Sequence, residues 1–145
     1  MSLTADIDQS LVGKLRERGL RVTPQRLVIH RALCGHSQHM TAEQLLVSVS
    51  DTLPGTSLPT VYATLELLED LRLVRRVAAG NGAVVFDSRV EPHAHTVCRR
   101  CGAIADLEGT PVPVDAITRA GESGFVPDHA QLVVWGLCRA CASRN

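Results

Sequence analysis

Two CxxC pairs constrain this chain more than any other feature of its sequence. Cys98 and Cys101 form the first pair, Cys138 and Cys141 form the second, and 36 residues lie between the pairs. Each pair follows a run of β-forming residues, so each predicts a short knuckle at the end of a strand. Two such knuckles commonly supply the four thiolates of a tetrahedral zinc site. The spacing therefore predicts a structural zinc site that ties the C-terminal tail to an earlier strand.

A redox dithiol and an iron ion in the same cage are alternative interpretations of the four cysteines. The fifth, Cys34, stands alone on a predicted helix and is interpreted as a small core residue. The N-terminal residues lack the basic start and apolar core of a signal peptide, and no apolar run is long enough to cross a bilayer. We therefore expect a cytoplasmic protein without a membrane segment, in which thiols stay reduced and bind metal.

The first half of the chain has the apolar period of amphipathic helices. Apolar residues recur at helical spacing from Ile7 to Arg18, and Gly19 then suits a helix end. Three more such segments each follow a residue that caps helices well. These predicted caps are Thr23, Thr41 and Ser57. Two β-rich runs around a Gly-Asn-Gly turn come next, and helices followed by such a hairpin predict a winged helix.

The fourth predicted helix would enter the DNA major groove of a winged-helix protein. We expect Thr60, Tyr62, Ala63 and Thr64 to lie opposite its leucine stripe, where hydroxyl groups and a ring could contact bases. A Tyr62 ring that only packs at the helix edge is an equally open interpretation. Although the net charge is zero, residues 11–31 hold six basic residues against one acid. This stripe indicates a polyanionic partner or, on charge alone, a solvated helix face.

Two histidines just before the first cysteine pair predict a second metal site. His93 and His95 share one face of a strand, whereas Cys98 has the opposite parity. Asp87, Asp106 and a histidine of the first half are candidates to complete the site. Imidazole and carboxylate ligands favour Fe²⁺, Mn²⁺ or Zn²⁺. A His-x-His on a surface strand that binds nothing is the alternative.

Four segments, "LRVTPQR", "LPTVYATLELL", "HAHTVCRRCG" and "WGLCRAC", together resemble the ferric uptake regulator family of bacterial metal-dependent repressors. The likeness extends over nearly the whole chain, and "FDSRV" and "CGAIAD" resemble the actinobacterial catalase-regulating members. It implies an α+β fold: a winged-helix DNA-binding domain at 1–87, a hinge at 88–92 and a small α/β dimerisation domain at 93–145. It also implies a homodimer on an AT-rich inverted repeat of double-stranded DNA.

The resemblance also assigns residues to sites. Its structural zinc ligands correspond to Cys98, Cys101, Cys138 and Cys141. Its regulatory Fe²⁺ or Mn²⁺ ligands correspond to His39, Asp87, His93, His95 and Asp106. Its DNA contacts correspond to Arg21, Ser57, Thr60, Tyr62 and Thr64. His39 is preferred to His36 because it directly precedes "MTAEQL", and His30 and His129 are interpreted as structural or surface residues.

Asp at position 106 resembles the peroxide-sensing branch, in which His39 or His93 would take up oxygen. An iron-uptake repressor that senses Fe²⁺ alone is the alternative within the family. Pro92 and Ala94 interrupt the histidine run on which a further family metal site is built, so we expect that site to be absent. A thiol or metal enzyme and a zinc-stabilised interaction module are the alternatives outside the family. Because the carboxylates form no evident acid–base pair, we expect no enzyme.

Overall fold

The computed structural model describes residues 2–35, 39–78, 82–111 and 113–144. Its helices are α1 Leu3–Glu17, α2 Pro24–Gly35, α3 Ala42–Val49, α4 Leu58–Asp70, α5 Val114–Glu122 and α6 Arg139–Ala142. Its strands are β1 His39–Met40, β2 Arg75–Ala78, β3 Val84–Asp87, β4 Ala94–Cys98, β5 Ile104–Leu107 and β6 Val133–Gly136. The chain divides into an N-terminal unit, Met1–Ala78 with Val84–Val90, and a C-terminal unit, Ala79–Ala83 with Glu91–Asn145.

The helices of the N-terminal unit enclose an aliphatic core that contains one aromatic ring. Leucine, isoleucine and valine side chains from α1 to α4 are fully buried together with Phe86 of β3. Thr41 caps α3 as predicted, because its hydroxyl accepts from Gln44 N at 3.1 Å and Gln44 Oε1 accepts from Thr41 N at 2.9 Å. Thr23 Oγ1 likewise accepts from Arg26 N at 3.3 Å, so the predicted starts at Thr41 and Thr23 are confirmed. Ser57 is the N-cap of α4 as predicted, but its side chain makes no capping hydrogen bond.

A small antiparallel sheet completes the N-terminal unit. Its strand order is β1-β3-β2, with β3 in the centre. The pairing of β2 with β3 agrees with the predicted hairpin, although Gly80 and Asn81 of its turn lie outside the described residues. The two-residue strand β1 was not predicted. It places His39 opposite Asp87 and Met40 opposite Phe86 on β3.

The C-terminal unit is built on a second three-stranded sheet. Its order is β5-β4-β6, and β4 pairs antiparallel with β5 and parallel with β6. A parallel neighbour requires a crossover connection, which contains α5 here. Several large apolar side chains of this unit are exposed, among them Phe125 and Trp135. In the described part of the chain, no helix combines the length and apolar character needed to cross a membrane.

Candidate metal centres and nucleic-acid interface

The four cysteines of the CxxC pairs converge at one end of the second sheet. Their four sulfur atoms all lie within 4.8 Å of one another, and the Cys101 and Cys138 sulfurs are 3.8 Å apart. Cys98 ends β4, and Cys138 is the N-cap of α6, so the parallel pairing of β4 with β6 brings the two knuckles together. None of the four forms a disulfide. The arrangement is a cage of four thiols closed by residues from both ends of the unit.

Hydrogen bonds around the cage affect its sulfurs unequally. Backbone N–H groups, first that of Cys101 and then that of Cys138, lower the pKa of Cys98 to about 5. The hydrogen bond to the Cys138 sulfur keeps the proton on Cys141 and raises its pKa to about 12. The protein therefore stabilises one thiolate, whereas four adjacent thiolates would repel one another without a cation. This donor set fits Zn²⁺, which binds four thiolates tetrahedrally.

A hydrogen bond that was not predicted braces the cage. Arg100 lies between the first two cysteines, and its Nη1 donates to the Cys141 carbonyl at 2.8 Å. The turn itself is closed by Gly102 N, which donates to the Cys98 carbonyl at 2.9 Å. The basic residues inside "CRRC" are the only sequence signal for this contact. Arg100 thus connects the two knuckles independently of any metal.

In the N-terminal unit, His39 and Asp87 form a polar pair on the first sheet. They are cross-strand partners of β1 and β3, and His39 Nε2 is 3.2 Å from Asp87 Oδ2. The other carboxylate oxygen, Oδ1, accepts from Arg89 N at 2.8 Å, which fixes the orientation of the group. Asp87 is fully buried. The pair offers one imidazole nitrogen and one carboxylate oxygen to a cation.

In the C-terminal unit, His93, His95 and Asp106 form a triad. Asp106 is the cross-strand partner of His95, and its Oδ1 lies 3.1 Å from His93 Nε2 and 3.5 Å from His95 Nε2. Both imidazoles are buried. Their rings lie side by side, as the predicted strand parity requires, while Cys98 belongs to the cage. The triad brings two nitrogens and one oxygen together.

The tautomer of His93 provides a test of whether the triad suits a metal. Its Nδ1 is 2.7 Å from the carbonyl oxygen of Glu91, and because a carbonyl only accepts, Nδ1 carries the hydrogen. Nε2 of the neutral ring then has a lone pair that faces the Asp106 carboxylate. Two electron-rich atoms 3.1 Å apart repel unless a proton or a metal cation lies near both. The same arrangement orients ligating histidines in many metal sites.

The exposed face of α4 carries fewer of the predicted DNA contacts than expected. Ser57 is exposed, and its Oγ lies 3.0 Å from Thr60 Oγ1 at the start of the helix. Tyr62 is half-buried, with its ring against Phe86 and its hydroxyl 3.4 Å from Glu43 Oε1. The prediction that Thr64 lies opposite the leucine stripe was wrong. Thr64 is 6% exposed, because it follows Val61 by one helical turn and therefore faces the core.

Several of the predicted basic-stripe residues make contacts within the N-terminal unit. Arg31 pairs with Asp8, and the hydrogen bond from Arg31 holds the pKa of the Asp8 carboxyl below its usual range. Arg18 Nη2 donates to the Asp70 carbonyl at 3.0 Å. Arg21 is exposed, and its carbonyl oxygen accepts from the Arg26 guanidinium. Of the predicted DNA contacts, Arg21 and Ser57 are thus exposed.

Among the described residues, His30, His129 and Cys34 belong to neither of the two metal-ligand groups. His30 is buried in α2, and burial lowers its pKa. Cys34 is half-buried, and burial raises the pKa of its thiol. His129 is exposed, and His36 lies outside the described residues. These placements agree with the interpretation of His30 and His129 as structural or surface residues, and half-buried Cys34 is compatible with its interpretation as a small core residue.

Known proteins match both the sequence and the fold. The profile of the ferric uptake regulator family matches residues 17–135. A peroxide-responsive repressor of Staphylococcus aureus is 28% identical over 145 residues, which cover 99% of this chain and 96% of the relative. A Campylobacter jejuni peroxide stress regulator structure is 28% identical, has a TM-score of 0.68 and aligns with 90% of this chain and 98% of its own. A Pseudomonas aeruginosa ferric uptake regulator structure with manganese is 27% identical, with a TM-score of 0.64 and coverages of 88% and 97%.

These matches bear on the interpretation of the chain as a thiol or metal enzyme. The matched region starts at Glu17, the last residue of α1, and extends through α2, α3, α4, the first sheet and the triad to Trp135 of β6. The relatives are named as repressors and regulators, which removes support for a thiol or metal enzyme. The chain belongs to the ferric uptake regulator family, whose members are metal-dependent transcription regulators and not enzymes.

Proposed function

We propose that this protein is a metal-dependent DNA-binding repressor that loses its hold on DNA when hydrogen peroxide modifies its regulatory metal site. The observation that supports this most directly is the buried triad, in which two imidazoles approach one aspartate oxygen. Among the relatives, the repressor from S. aureus is named as peroxide-responsive and that from C. jejuni as a peroxide stress regulator. A DNA target would place the protein in the cytoplasm.

The triad and the His39–Asp87 pair are proposed to ligate one ion together. Neither cluster alone offers the five or six ligands that Fe²⁺ or Mn²⁺ takes from imidazole, carboxylate and water, whereas together they offer five. Residues 88–92 connect Asp87 with His93, so an ion held by both clusters would restrain this hinge. Fe²⁺ bound there would supply one-electron chemistry toward hydrogen peroxide.

His39 and His93 are the side chains proposed to take up oxygen. An oxidised imidazole no longer offers the same nitrogen lone pair, so the pair and the triad would cease to share an ion. Residues 88–92 would then be unrestrained, and the two winged helices of a dimer would lose the fixed spacing that a symmetric operator requires. Zn²⁺ in the cysteine cage is proposed to have a structural role, because four protein thiolates leave no open ligand position.

DNA binding is proposed to use the exposed start of α4 in the major groove of each half-site. Ser57, Thr60 and Tyr62 are the candidates for base contacts there, and the burial of Thr64 argues against a direct contact of its hydroxyl with bases. Arg21 would contact the DNA backbone or the minor groove. The protein would bind as a homodimer to an AT-rich inverted repeat, with the strong salt dependence that phosphate contacts produce.

Oxygen localisation in the iron-loaded protein tests the peroxide response. The zinc-filled protein is loaded anaerobically with Fe²⁺, given one equivalent of hydrogen peroxide and analysed by tandem mass spectrometry. We expect one added oxygen on the ring of His39 or His93, together with loss of binding to AT-rich inverted repeats in fluorescence anisotropy. Met40 must be resolved from His39, because methionine also oxidises.

Two controls make the result specific. The Mn²⁺-loaded protein should keep its histidines and its DNA binding, and exposed His129 should stay unmodified in every sample. If Fe²⁺ is required for DNA binding but no histidine gains oxygen, the protein is an iron-responsive repressor and the peroxide mechanism is wrong. If no metal affects DNA binding, the proposed function itself fails.

A further inference from the structure

We infer that Phe86 is a positioning residue that couples the ligation of Asp87 to the orientation of Tyr62 on α4. This inference rests on the proposed function, since it assumes that Asp87 binds the regulatory ion and that α4 binds DNA. It goes further by naming the contact through which the first event alters the second. All the contacts involved lie within the N-terminal unit.

The first step is the alternation of side chains along β3. Phe86 and Asp87 are consecutive, so their side chains leave opposite faces of the sheet. Asp87 shares its face with His39, its partner on β1, and Phe86 shares the other face with Met40. Both residues are almost completely buried. One strand end therefore has the candidate metal ligand on one face and the largest side chain of the core on the other.

The second step is the contact between Phe86 and α4, the helix proposed to bind DNA. The rings of Phe86 and Tyr62 lie 6.5 Å apart, centroid to centroid, at an interplanar angle of 69°. This edge-to-face geometry is favoured by the charge distribution of aromatic rings and depends on their mutual orientation. Within the described part of the chain, the Tyr62 hydroxyl has one hydrogen-bond contact, a long one of 3.4 Å to Glu43 Oε1. Phe86 therefore constrains the orientation of the Tyr62 ring.

The third step is a contact on the side of the hairpin. Arg76 of β2 is the cross-strand partner of Phe86, and its guanidinium carbon lies 5.3 Å from the centre of the Phe86 ring. Glu69 of α4 accepts from Arg76 Nε at 3.1 Å. The Phe86 ring is thus in contact with α4 through Tyr62 and with β2 through Arg76, which itself is tied to α4.

These contacts make the ring sensitive to its own strand. An ion that draws Asp87 and His39 together moves or stiffens the end of β3, and the adjacent residue, Phe86, follows through one peptide unit. Because a close-packed core has no space in which the ring could shift alone, the Tyr62 ring must respond. Tyr62 would then present its hydroxyl and edge to DNA differently with and without the ion.

The sequence permits a direct test, because Tyr62 is the only tyrosine in the chain. Protein grown with 3-fluorotyrosine gives one fluorine NMR signal, from α4. Zn²⁺ is used as the probe because it is diamagnetic: the cysteine cage is filled first, and a second equivalent is then added without DNA. We expect the signal to shift with the second equivalent, and Asp87→Asn to abolish the shift.

Phe86→Leu tests the role of the ring. We expect this variant to bind the second Zn²⁺ within about threefold of the wild-type affinity and to lose the fluorine shift. The factor by which the metal increases DNA affinity should be at least about tenfold smaller than in the wild type. Phe125→Leu is the matched control, because Phe125 is the other phenylalanine and is 64% exposed in the C-terminal unit. It should keep both the shift and the gain.

Two results would overturn the inference. One is a wild-type signal that does not move when the second Zn²⁺ binds, which is independent of how any variant folds. The other is a folded Phe86→Leu, or Phe86→Met if the leucine variant does not fold, that keeps the full shift and the full gain. Because the fluorine measurement contains no DNA, it can fail while metal-dependent repression remains intact, and the two failures are therefore distinguishable.

Discussion

The imidazole rings of His93 and His95 lie 4.3 Å apart, centroid to centroid, and are tilted by 55° to each other. Both rings direct Nε2 toward the same oxygen of Asp106, at 3.1 Å and 3.5 Å. Such proximity of two nitrogens to one oxygen is reasonable in a metal site, where the cation compensates their mutual repulsion. Asp106 is therefore the side chain that makes the two histidines into one site.

Asp106→Asn should weaken binding of Mn²⁺ at the regulatory site by at least about tenfold, the lower end of what even outer-shell changes cost. The amide keeps the shape of the side chain but lacks the negative charge that two nearby imidazoles and a divalent cation require. Competition with a fluorescent chelator, on protein whose cysteine cage is filled with zinc, measures the affinity. Asp115→Asn on exposed α5 is the control and should bind as the wild type does. Unchanged affinity in Asp106→Asn would show that the triad is not the metal site.

Cys101→Ser should abolish stable zinc binding, whereas Cys34→Ser should retain one zinc per chain. Cys101 is one of the four converging thiols, whereas Cys34 lies in α2 and is not among them. Cobalt substitution provides the measurement, because a cage of four thiolates gives intense charge-transfer absorption that a serine ligand would reduce. Structural zinc in small peptides contributes roughly 10–16 kcal/mol of binding free energy, so the C-terminal sheet of Cys101→Ser should also melt at lower temperature. If Cys101→Ser kept the wild-type zinc content, the prediction that the four thiols bind one zinc ion would be wrong.

His30 should make the stability of the N-terminal unit depend on pH. Burial lowers the pKa of His30 below its value of about 6.5 in the unfolded chain, while Asp8 opposes this weakly. The neutral ring is thus favoured in the folded state. The contribution of neutral His30 to the unfolding free energy is therefore fully present above pH 6.5 and is lost as pH falls from there through the folded pKa. For one proton the slope cannot exceed about 1.4 kcal/mol per pH unit.

Urea denaturation of the zinc-loaded protein between pH 7.5 and 5 measures this effect, and His30→Leu provides the comparison. The difference in unfolding free energy between the two proteins should shift in favour of the variant as pH falls. His129→Leu, at an exposed position, should follow the wild type across the same range. Parallel curves for wild type and His30→Leu would mean that His30 titrates alike in the folded and unfolded chain.

Thr60 and Thr64 form a matched pair on α4 that tests which face contacts DNA. Thr64→Val replaces a buried hydroxyl, so DNA affinity should stay within about threefold of wild type, while the free energy of unfolding should change by roughly 1–3 kcal/mol, as expected for a buried hydroxyl. Thr60→Val alters the accessible start of the helix and should reduce the affinity about tenfold, since one good base contact contributes about 1–3 kcal/mol. Fluorescence anisotropy with Mn²⁺-loaded protein measures both. If folded Thr64→Val lost more DNA affinity than Thr60→Val, the proposal that the exposed face of α4 contacts DNA would be wrong.

Arg72→Gly should raise the unfolding free energy by up to about 1 kcal/mol. Arg72 follows the C-cap of α4 with a φ of 57°, and its N–H closes the helix end on the Glu69 carbonyl. Side chains disfavour this left-handed conformation by roughly 1–2 kcal/mol, part of which is offset by the extra freedom of unfolded glycine. Arg16→Gly, within α1, is the opposite control and should cost about 1 kcal/mol. A loss of stability in Arg72→Gly would indicate that contacts of the arginine outweigh the strain.

Local signals in the sequence predicted much of the fold. The capping box at Thr41 and Gln44 and the glycine after α1 depend on only a few neighbouring residues, so the start of α3 and the end of α1 could be predicted. The parity of His93, His95 and Cys98 also follows from a single strand. The parallel pairing of β4 with β6 has no such local pattern, but the matched CxxC pairs required the two strand ends to meet.

The features that escaped prediction depend on contacts between distant segments. Strand β1 has two residues, too few for any alternation, and it exists because His39 and Met40 pair with β3. Thr64 is an exception, because its helical spacing from Val61 already places it on the buried face. It was misplaced because its polar side chain was assigned to the polar face, although the core accepts this small side chain. The contact of Tyr62 with Phe86 joins residues 24 positions apart and has no sequence signal of its own.

The central position of β4 has a consequence for how such chains can diverge. His95 and Cys98 lie on one strand that is paired on both sides. Inserting or deleting a single residue between them would move one of the two side chains to the opposite face of the strand. Either the histidines would then leave the triad or Cys98 would leave the cage. The crossover from Glu108 to Leu132 has no such constraint and could change in length at little cost. Lineages of this protein should therefore vary in the crossover while the interval from His93 to Cys101 keeps its length.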